Sequence, residues 1–500
     1  MGIIMSLKWW TRLAALSLAT VNPGILRQPK AVGDEVIHVP LGERQLFVDD
    51  HGIAKIEGLR RKLHQPRKVG AVIRSSNPKD TLQTRTAPVW DPEQKQYKLW
   101  ILGSEQQFWQ SPDGLNWQPG PKLNMPVRMA VYDPHDPDPA RRFKAALLNR
   151  GFAVSPDGIT WTQLDTPAIQ SFDEGNFSYD PQHGLFIHTV KRSGPYGRSV
   201  AVATSRDFTN WKDYGVVFHA DDVDQTIGRR RIAERLVNPT LKQTEYNTPD
   251  HYSVQIYNMG VFHYEGLYIG LPSMYHHTGK VPTDWSGFDK QNLSPYILGL
   301  VRKYGDYTGF YNIQMACSRD LKNWQRIGER KPFLVTSPLG AGAYDIQTII
   351  GPSAPVLHND DLFFYYTGIK QYAFTGSGND PGYEDYVPDA GAICLAILRR
   401  DGFISLDAGS TAGQLTTCPC VIPDGPLRVN VAVRKHGCLQ IEALGTSGDV
   451  IAVSVPITRD VACTKVTWER GNITDLKGQQ VRLRFTLCRS GLYSYWYGTP

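Results

Sequence analysis

Four short stretches share one pattern: SPDGLNW at 111–117, SPDGITW at 155–161, SRDFTNW at 205–211 and SRDLKNW at 318–324. Each reads S-x-D-x-x-x-W. The residue types describe a tight turn between two strands. Serine and aspartate bond back to the turn backbone, and the tryptophan packs on the strand before it. The starts lie 44, 50 and 113 residues apart, the last interval being two periods. Periods of about 40–50 residues with strand-like flanks are the signature of a β-propeller.

A second element precedes each motif: an apolar strand, a polar turn and another apolar strand. Its copies are PVWDPEQKQYKLWIL (88–102), AVYDPHDPDPARRFKAAL (130–147), FSYDPQHGLFIHTV (177–190), GVFHYEGLYIGL (260–271) and PVLHNDDLFFYYTGI (355–369). The fifth runs into ICLAILRRDGFISL (393–406), where Asp401-Gly402 replaces the motif's turn and the tryptophan is missing. The chain therefore reads as an all-β, five-bladed propeller over residues 34–408, with about four strands per blade. The rival is a β-sandwich array with coincidental turns; five matched pairs in order argue against it. Asp91, Asp133 and Asp180 of the D-P turns, and the aspartate of each S-x-D motif, are expected to be structural.

From Gly409 the texture changes. Alternating Leu427, Val429, Val431 and Val433, with turn signals at short spacing, describe a small antiparallel sandwich over 409–500. Packing against the propeller is its plainer role, and sugar binding the functional alternative.

The chain has 500 residues, about three units at ~150 residues each, or two where one is a large all-β domain. Hydrophobic residues make up 41% and charged residues 20%, which supplies a core and excludes wholesale disorder. A net charge of +6 is too slight for a dedicated nucleic-acid binder. At the start, Lys8 and Arg12 precede a short apolar run, Leu13 to Val21. That run is too short to span a bilayer and suits the apolar segment of an export signal, so residues 1–33 read as signal peptide and leader. A secreted or periplasmic protein is expected, without membrane association after cleavage, and a monomer. The seven cysteines all lie beyond residue 316. Buried thiols, with one or two disulfides in the C-terminal unit, are expected; Cys418-Pro-Cys420 lacks a second zinc-like pair.

In a propeller the residues just before each inner strand form the rim of a central funnel, where rigid polar side chains suit binding. Counting back from each inner strand gives Arg85 and Arg128 for blades one and two. Blade three offers Asp173, Glu174 and Asn176, blade four His251, Tyr252 and Gln255, and blade five Asp345 and Gln347. The preceding strand, QLFVDDHGI, adds Asp49 and Asp50. No Ser-His-Asp order, G-x-S-x-G elbow, P-loop or H-E-x-x-H is present in the sequence. His276 and His277 are adjacent on a strand and should point to opposite faces. No metal or cofactor is expected at the site, while a structural calcium in the central channel stays open. Glu234, in RRRIAERL, reads as a solvated helix face. Paired acids at a funnel mouth suit glycoside hydrolysis: one protonates the leaving oxygen, the other attacks the sugar or activates water.

The chain resembles the five-bladed propeller glycoside hydrolases of families 32, 43 and 117, above all secreted bacterial proteins described as family-32-like. RQLFVDD (44–50), LRRDGFISLDAG (398–409), VTWERGN (466–472) and GLYSYWYG (491–498) carry the likeness over roughly residues 40–500. It implies three carboxylates from different blades acting as nucleophile or base, stabiliser and general acid. Matched residue by residue, these are Asp50 (or Asp49), Glu174 (or Asp173) and Asp345. The chain lacks the W-M-N-D-P-N-G opening, the R-D-P triplet and the E-C pair of the fructan-cleaving members, so an invertase-type substrate is not implied.

The expectation is hydrolysis of a plant or algal oligo- or polysaccharide, with Asp50, Glu174 and Asp345 as catalytic carboxylates. Arg85, Arg128, Asn176, Tyr252, Gln255 and Gln347 would hold the carbohydrate substrate. The alternatives are a non-catalytic glycan-binding propeller, a protein-interaction scaffold and a glycoside phosphorylase.

Overall fold

A computed structural model describes residues 35–290, 293, 295–340, 342–370 and 389–499. The export signal expected in residues 1–33 lies outside them. Among the described residues no helix is long and apolar enough to cross a membrane.

Five antiparallel sheets follow one another along the chain. Blade 1 runs from Gln83–Thr84 to Gln118–Pro119, blade 2 from Ala130–Tyr132 to Thr162–Gln163, and blade 3 from Gly175–Asp180 to Lys212–Phe218. Blade 4 runs from Ser253–Tyr264 to Gln325–Arg326. Blade 5 combines Thr348–Ile350, Val356–His358, Asp361–Ile369 and Gly391–Arg399 with Arg67–Ile73. The ring follows chain order. Trp100 Nε1 of blade 1 donates to Gly158 O of blade 2 (2.9 Å), and Phe152 of blade 2 stacks on Trp211 of blade 3 (4.5 Å between centroids). Ser178 Oγ of blade 3 donates to Val261 O of blade 4 (2.5 Å). Gly351 N of blade 5 donates to Ser273 Oγ of blade 4 (3.0 Å), and Tyr365 OH of blade 5 to Gly114 O of blade 1 (2.5 Å).

The S-x-D-x-x-x-W turns form as their residue types require. Asp157 Oδ1 accepts the N–H groups of Ile159 and Thr160, both at 2.8 Å, and Asp113, Asp207 and Asp320 do the same in their turns. The fourth residue is left-handed in every copy: Gly114 (φ +73), Gly158 (+75), Phe208 (+63) and Leu321 (+64). Glycine takes this conformation freely, and side chains there cost about 1–2 kcal/mol. Phe208 and Leu321 offset that cost by burying their side chains almost fully, at 0% and 3% exposure.

The D-P aspartates are structural, as expected. Asp91 Oδ1 accepts Glu93 N (2.9 Å), and its other oxygen meets the fully buried Lys98 ammonium (2.6 Å). Lys98 Nζ also donates to Asp157 O of the next blade (2.6 Å), so one lysine joins two turns. Between blades 3 and 4 the basic stretch forms a helix, Asp222–Leu236, opened by a capping box of Asp221 and Asp224. Glu234 pairs with Arg230 on its exposed face, as expected.

Beyond the ring lies an antiparallel β-unit, an eleven-stranded sheet centred on the long pair Leu427–Leu444 and Gln480–Tyr497. Its composition departs from the expected division at residue 408. Gln45–Leu46, Ile53–Glu57 and Arg60–Leu63 pair with Gln480–Tyr497, Gly413–Thr417 and Ile404–Asp407 respectively. The N-terminal strands thus belong to this sheet, and the next strand, Arg67–Ile73, closes blade 5 against Gly391–Arg399. A buried polar knot fastens the two units. Asp401 accepts from Arg44 Nη1 (2.8 Å), Tyr264 OH (2.7 Å), Ser494 Oγ (2.6 Å) and Asn430 Nδ2 (3.2 Å). All seven cysteines are free thiols, against the expected one or two disulfides, although Cys438 and Cys488 stand directly opposite each other in register.

Candidate functional site

Antiparallel strands give each blade two ends. The segment leading into the first strand and the loop joining the second and third lie at one face; the S-x-D and D-P turns lie at the other. Glu174 and Asp180 bracket the inner strand Gly175–Asp180, so about 20 Å separates the two faces.

At the first face, Arg85 and Glu174 form a two-pronged ion pair. Arg85 Nη2 donates to Glu174 Oε1 (2.6 Å) and Nε to Oε2. The two residues are 4% and 7% exposed. Arg85 is aimed by Thr84 O and the Gln83 side chain, each at 3.0 Å. Tyr257 OH, from blade 4, donates to Glu174 Oε1 (3.1 Å). Lys191, on the second strand of blade 3, pairs with Asp173 (2.6 Å) and lies 3.7 Å from the Tyr257 ring centroid. Behind Tyr257 the rings of Tyr311 (5.3 Å) and Tyr275 continue an aromatic wall, Tyr275 stacking on Tyr311 at 5.0 Å. Arg198 lies 5.4 Å over Tyr275 and donates to Gln255 Oε1 (2.8 Å). Nearer the axis, Asn176 Nδ2 donates to Ser353 Oγ and Ser353 Oγ to Arg85 O, both at 2.7 Å.

Burial alone would push the Glu174 carboxyl up. The charge and hydrogen bonds of Arg85, with Lys191 and Tyr257 behind it, outweigh that and hold it below the usual carboxylate value. Glu174 is therefore ionised at neutral pH. Tyr257 moves the other way: burial, then the Glu174 charge, keep its phenol protonated well above the ordinary value. Burial lowers the Lys191 ammonium, offset in part by Glu174 and Asp173.

The structure brings together Arg85, Arg128, Asp173, Glu174 and Asn176. Tyr252 and Gln255 belong to blade 4 at the same face, with His251 exposed beside them. Gln347 is fully buried between blades 4 and 5, its Nε2 3.4 Å from Gly309 O. The other expected carboxylates do not join them. Asp49 bonds to Arg319 (2.9 Å) in the SRDLKNW turn, which lies at the opposite face from Glu174. Asp50 is 73% exposed there and pairs with Arg61 (2.5 Å). They were misplaced because LFVDD pairs with strands from the far end of the chain. Asp345 is 3% exposed against the blade 5 sheet, held by Lys68 Nζ (2.6 Å) and Tyr366 OH (2.9 Å). It is the counter-ion of Lys68. Of the expected carboxylates, Asp173 and Glu174 stand beside Arg85, and Asp49 and Asp50 lie at the opposite face.

Lys191, Arg198, Tyr257, Tyr275 and Tyr311 were not singled out from sequence. They lie within strands, where only the period-two alternation marks a face, and strands buried on both faces blur it. His276 stacks on Phe310 (4.7 Å), while His277 Nε2 bonds to Gly279 O (2.9 Å), so the two rings have separate surroundings.

Among the described residues one group could hold a metal: Asp180, His183 and His263 place ligand atoms within 4.8 Å of one another. It lies at the far end of the inner strand from Glu174. Its polar atoms are engaged without an ion, since Asp180 Oδ2 accepts from Tyr268 OH (3.0 Å) and meets His183 Nδ1 (2.8 Å). Along the channel Asn176 Oδ1 and both polar atoms of Asn258 are buried without a protein partner. Neutral amides of this kind suit ordered water better than a divalent cation.

No protein-family model matches the chain, and no curated protein matches it. Solved structures do. A Bombyx mori family 32 β-fructofuranosidase in complex with sucrose matches at TM-score 0.37 and 10% identity, over 86% of this chain and 93% of that one. A Bacillus subtilis family 43 arabinoxylan arabinofuranohydrolase matches at TM-score 0.25 and 7% identity, over 84% and 79%. An N-acetylgalactosamine deacetylase from F. plautii matches at TM-score 0.35 and 14% identity, over 69% and 97%.

Proposed function

We propose that the protein is carbohydrate-active: its funnel takes a saccharide unit of an oligo- or polysaccharide and hydrolyses a glycosidic bond beside Glu174. The observation that carries this reading is a buried, ionised carboxylate set next to the partly exposed ring of Tyr257, which the buried rings of Tyr311 and Tyr275 hold in place. Tyrosine faces pack against the C–H faces of sugar rings and offer a hydroxyl at the edge. Glycoside cleavage passes through an oxocarbenium-like transition state, so positive charge develops at the anomeric carbon. A carboxylate clamped by two Arg85 hydrogen bonds is already oriented to meet that charge. Asp173, one residue upstream, solvent-facing and paired with Lys191 (2.6 Å), is the second carboxylate beside the site. Export and a plant or algal glycan belong to the same proposal and rest on the leader-like residues 1–33 and the resemblance.

A second reading, a glycan-binding propeller without turnover, is favoured by one observation: Arg85 neutralises Glu174, and no other carboxylate touches it among the described residues. A glycan-panel screen of the parent, Glu174→Gln and Asp173→Asn separates the two. Turnover by the parent, lost at least 100-fold in Glu174→Gln with binding retained, supports hydrolysis. Binding without turnover in the parent supports the second reading. Undiminished turnover in both variants refutes the site.

A further inference from the structure

Around Asp173 and Glu174 stand five cationic side chains, Arg85, Arg128, Arg150, Lys191 and Arg198. Arg85 and Lys191 have acidic partners, and Arg198 has Gln255 and Tyr275. Arg128 and Arg150 have neither an ion-pair partner nor a side-chain hydrogen bond among the described residues. Arg128 is half-buried in spite of this. Burial, then the Arg85 charge, lowers its pKa, and the charges of Glu174 and Asp173 offset this only in part. An unpaired, partly desolvated guanidinium is costly unless something else supplies the negative charge.

The two arginines share a cavity of about 330 Å³ with Gln107 and the apolar side chains of Ile101, Leu102 and Leu147. That volume is at the low end of the ~300–1,000 Å³ typical of ligand pockets and suits a small saccharide unit. Its place relative to Glu174 is fixed. Asn149, beside Arg150, is in the left-handed region (φ +61). Its Nδ2 donates to Ser171 O, and its Oδ1 accepts from Ser171 N, both at 2.8 Å. Ser171 Oγ donates in turn to Glu174 O (2.6 Å). The loop that carries Arg150 is therefore tied to the segment that carries Glu174.

We propose that this cavity is an acidic-sugar subsite, in which Arg128 and Arg150 receive the oxyanion of a saccharide unit adjoining the one at Glu174. A uronosyl carboxylate and a sulfate ester share the chemistry a guanidinium fork recognises: two oxygens taken by parallel N–H groups. The apolar wall takes the ring's C–H face. The inference rests on the glycan reading of the same funnel and narrows its substrate to an anionic one.

Isothermal titration calorimetry on the full chain tests it with four probes: a uronic-acid oligosaccharide, a sulfated oligosaccharide and the neutral counterpart of each. One acidic probe should bind the parent at least about 10-fold more tightly than its neutral counterpart, less so at high salt. Which one binds identifies the anion. Arg128→Gln and Arg150→Gln should each remove most of that preference with the melting temperature unchanged, and Arg128→Lys should recover part of it. Equal affinity for acidic and neutral probes, no binding of any probe, or an unaltered preference in the double Gln variant overturns the subsite. Binding of an acidic probe without cleavage keeps the subsite and removes the hydrolase reading. Cleavage of a neutral glycan with no acidic preference does the reverse.

Discussion

Arg85 of blade 1 and Glu174 of blade 3, 89 residues apart in sequence, meet across the funnel in an ion pair from which water is largely excluded. The pair does two things at once. It fixes a buried carboxylate at this rim, and it ties two blades that do not touch through a shared sheet.

Removing one partner leaves the other as an uncompensated buried charge. Glu174→Gln or Arg85→Met alone should cost about 3 kcal/mol, and the double variant less than the sum of the two. The carboxyl is held below its ordinary value of 4.5, so its share of stability is present above pH 4.5 and is lost as pH falls through the lower folded value. Denaturant titrations of parent and Glu174→Gln should therefore differ by a constant amount above pH 5 and converge in stronger acid. A difference that instead grew on acidification would contradict this.

Glu265 carries the opposite sign. Burial pushes its carboxyl up to about 7, with the Asp401 charge opposing ionisation and Arg44 and Arg400 only partly compensating. The folded state then holds a proton that the unfolded chain has released, so stability falls as pH rises from about 4.5 to 7. Glu265→Gln should flatten that interval and be the more stable protein at pH 8. Parallel stability curves for the two proteins would show that Glu265 ionises freely.

Asp401 is fully buried and gathers four donors from the N-terminal segment, blade 4 and the C-terminal strands. Asp401→Ala should strand the Arg44 guanidinium and cost about 3–5 kcal/mol in calorimetry. A loss below about 1 kcal/mol would mean that water replaces the carboxylate there.

Cys438 and Cys488 oppose each other in an antiparallel pair. Opposed residues have Cα atoms about 4.5–5.5 Å apart, within the ~4.4–6.8 Å that a disulfide spans. Mild oxidation should link them, with loss of two hydrogens and a linked peptide in non-reducing mass spectrometry. The buried Cys317, Cys394, Cys418 and Cys420 should stay reduced. Both thiols remaining open to alkylation after oxidation would exclude the link.

The blades were legible because each rests on local chemistry. A serine, an aspartate and a tryptophan at fixed spacing specify a turn without reference to anything distant. Glu174 was legible for a related reason, since it immediately precedes the inner strand Gly175–Asp180, and Arg85 because it directly follows the first short strand of blade 1, Gln83–Thr84. Asp50 was misread because the strand just before it, Gln45–Leu46, pairs with residues about 450 positions away, and no periodicity in LFVDD names that partner. Asp345 precedes an inner strand exactly as Glu174 does, yet Lys68 and Tyr366 draw it into the sheet. Position along the strand could be read from sequence, but not the direction of the side chain. Tyr257 and Lys191 show the converse, side chains that meet Glu174 and Asp173 from mid-strand with no local mark.

The strand that shuts the ring, Arg67–Ile73, leaves the ribosome roughly 320 residues before its partner Gly391–Arg399, and such long-range pairing is slow to form. The first strands of the chain must therefore wait, unpaired, through the synthesis of every blade, a long window for chaperone capture or aggregation. Nor can the molecule be trimmed into its two apparent halves. A cut after residue 408 would strip Gln45–Leu46 and Ile53–Glu57 of their neighbours, so head and tail of the chain are inherited as one clasp.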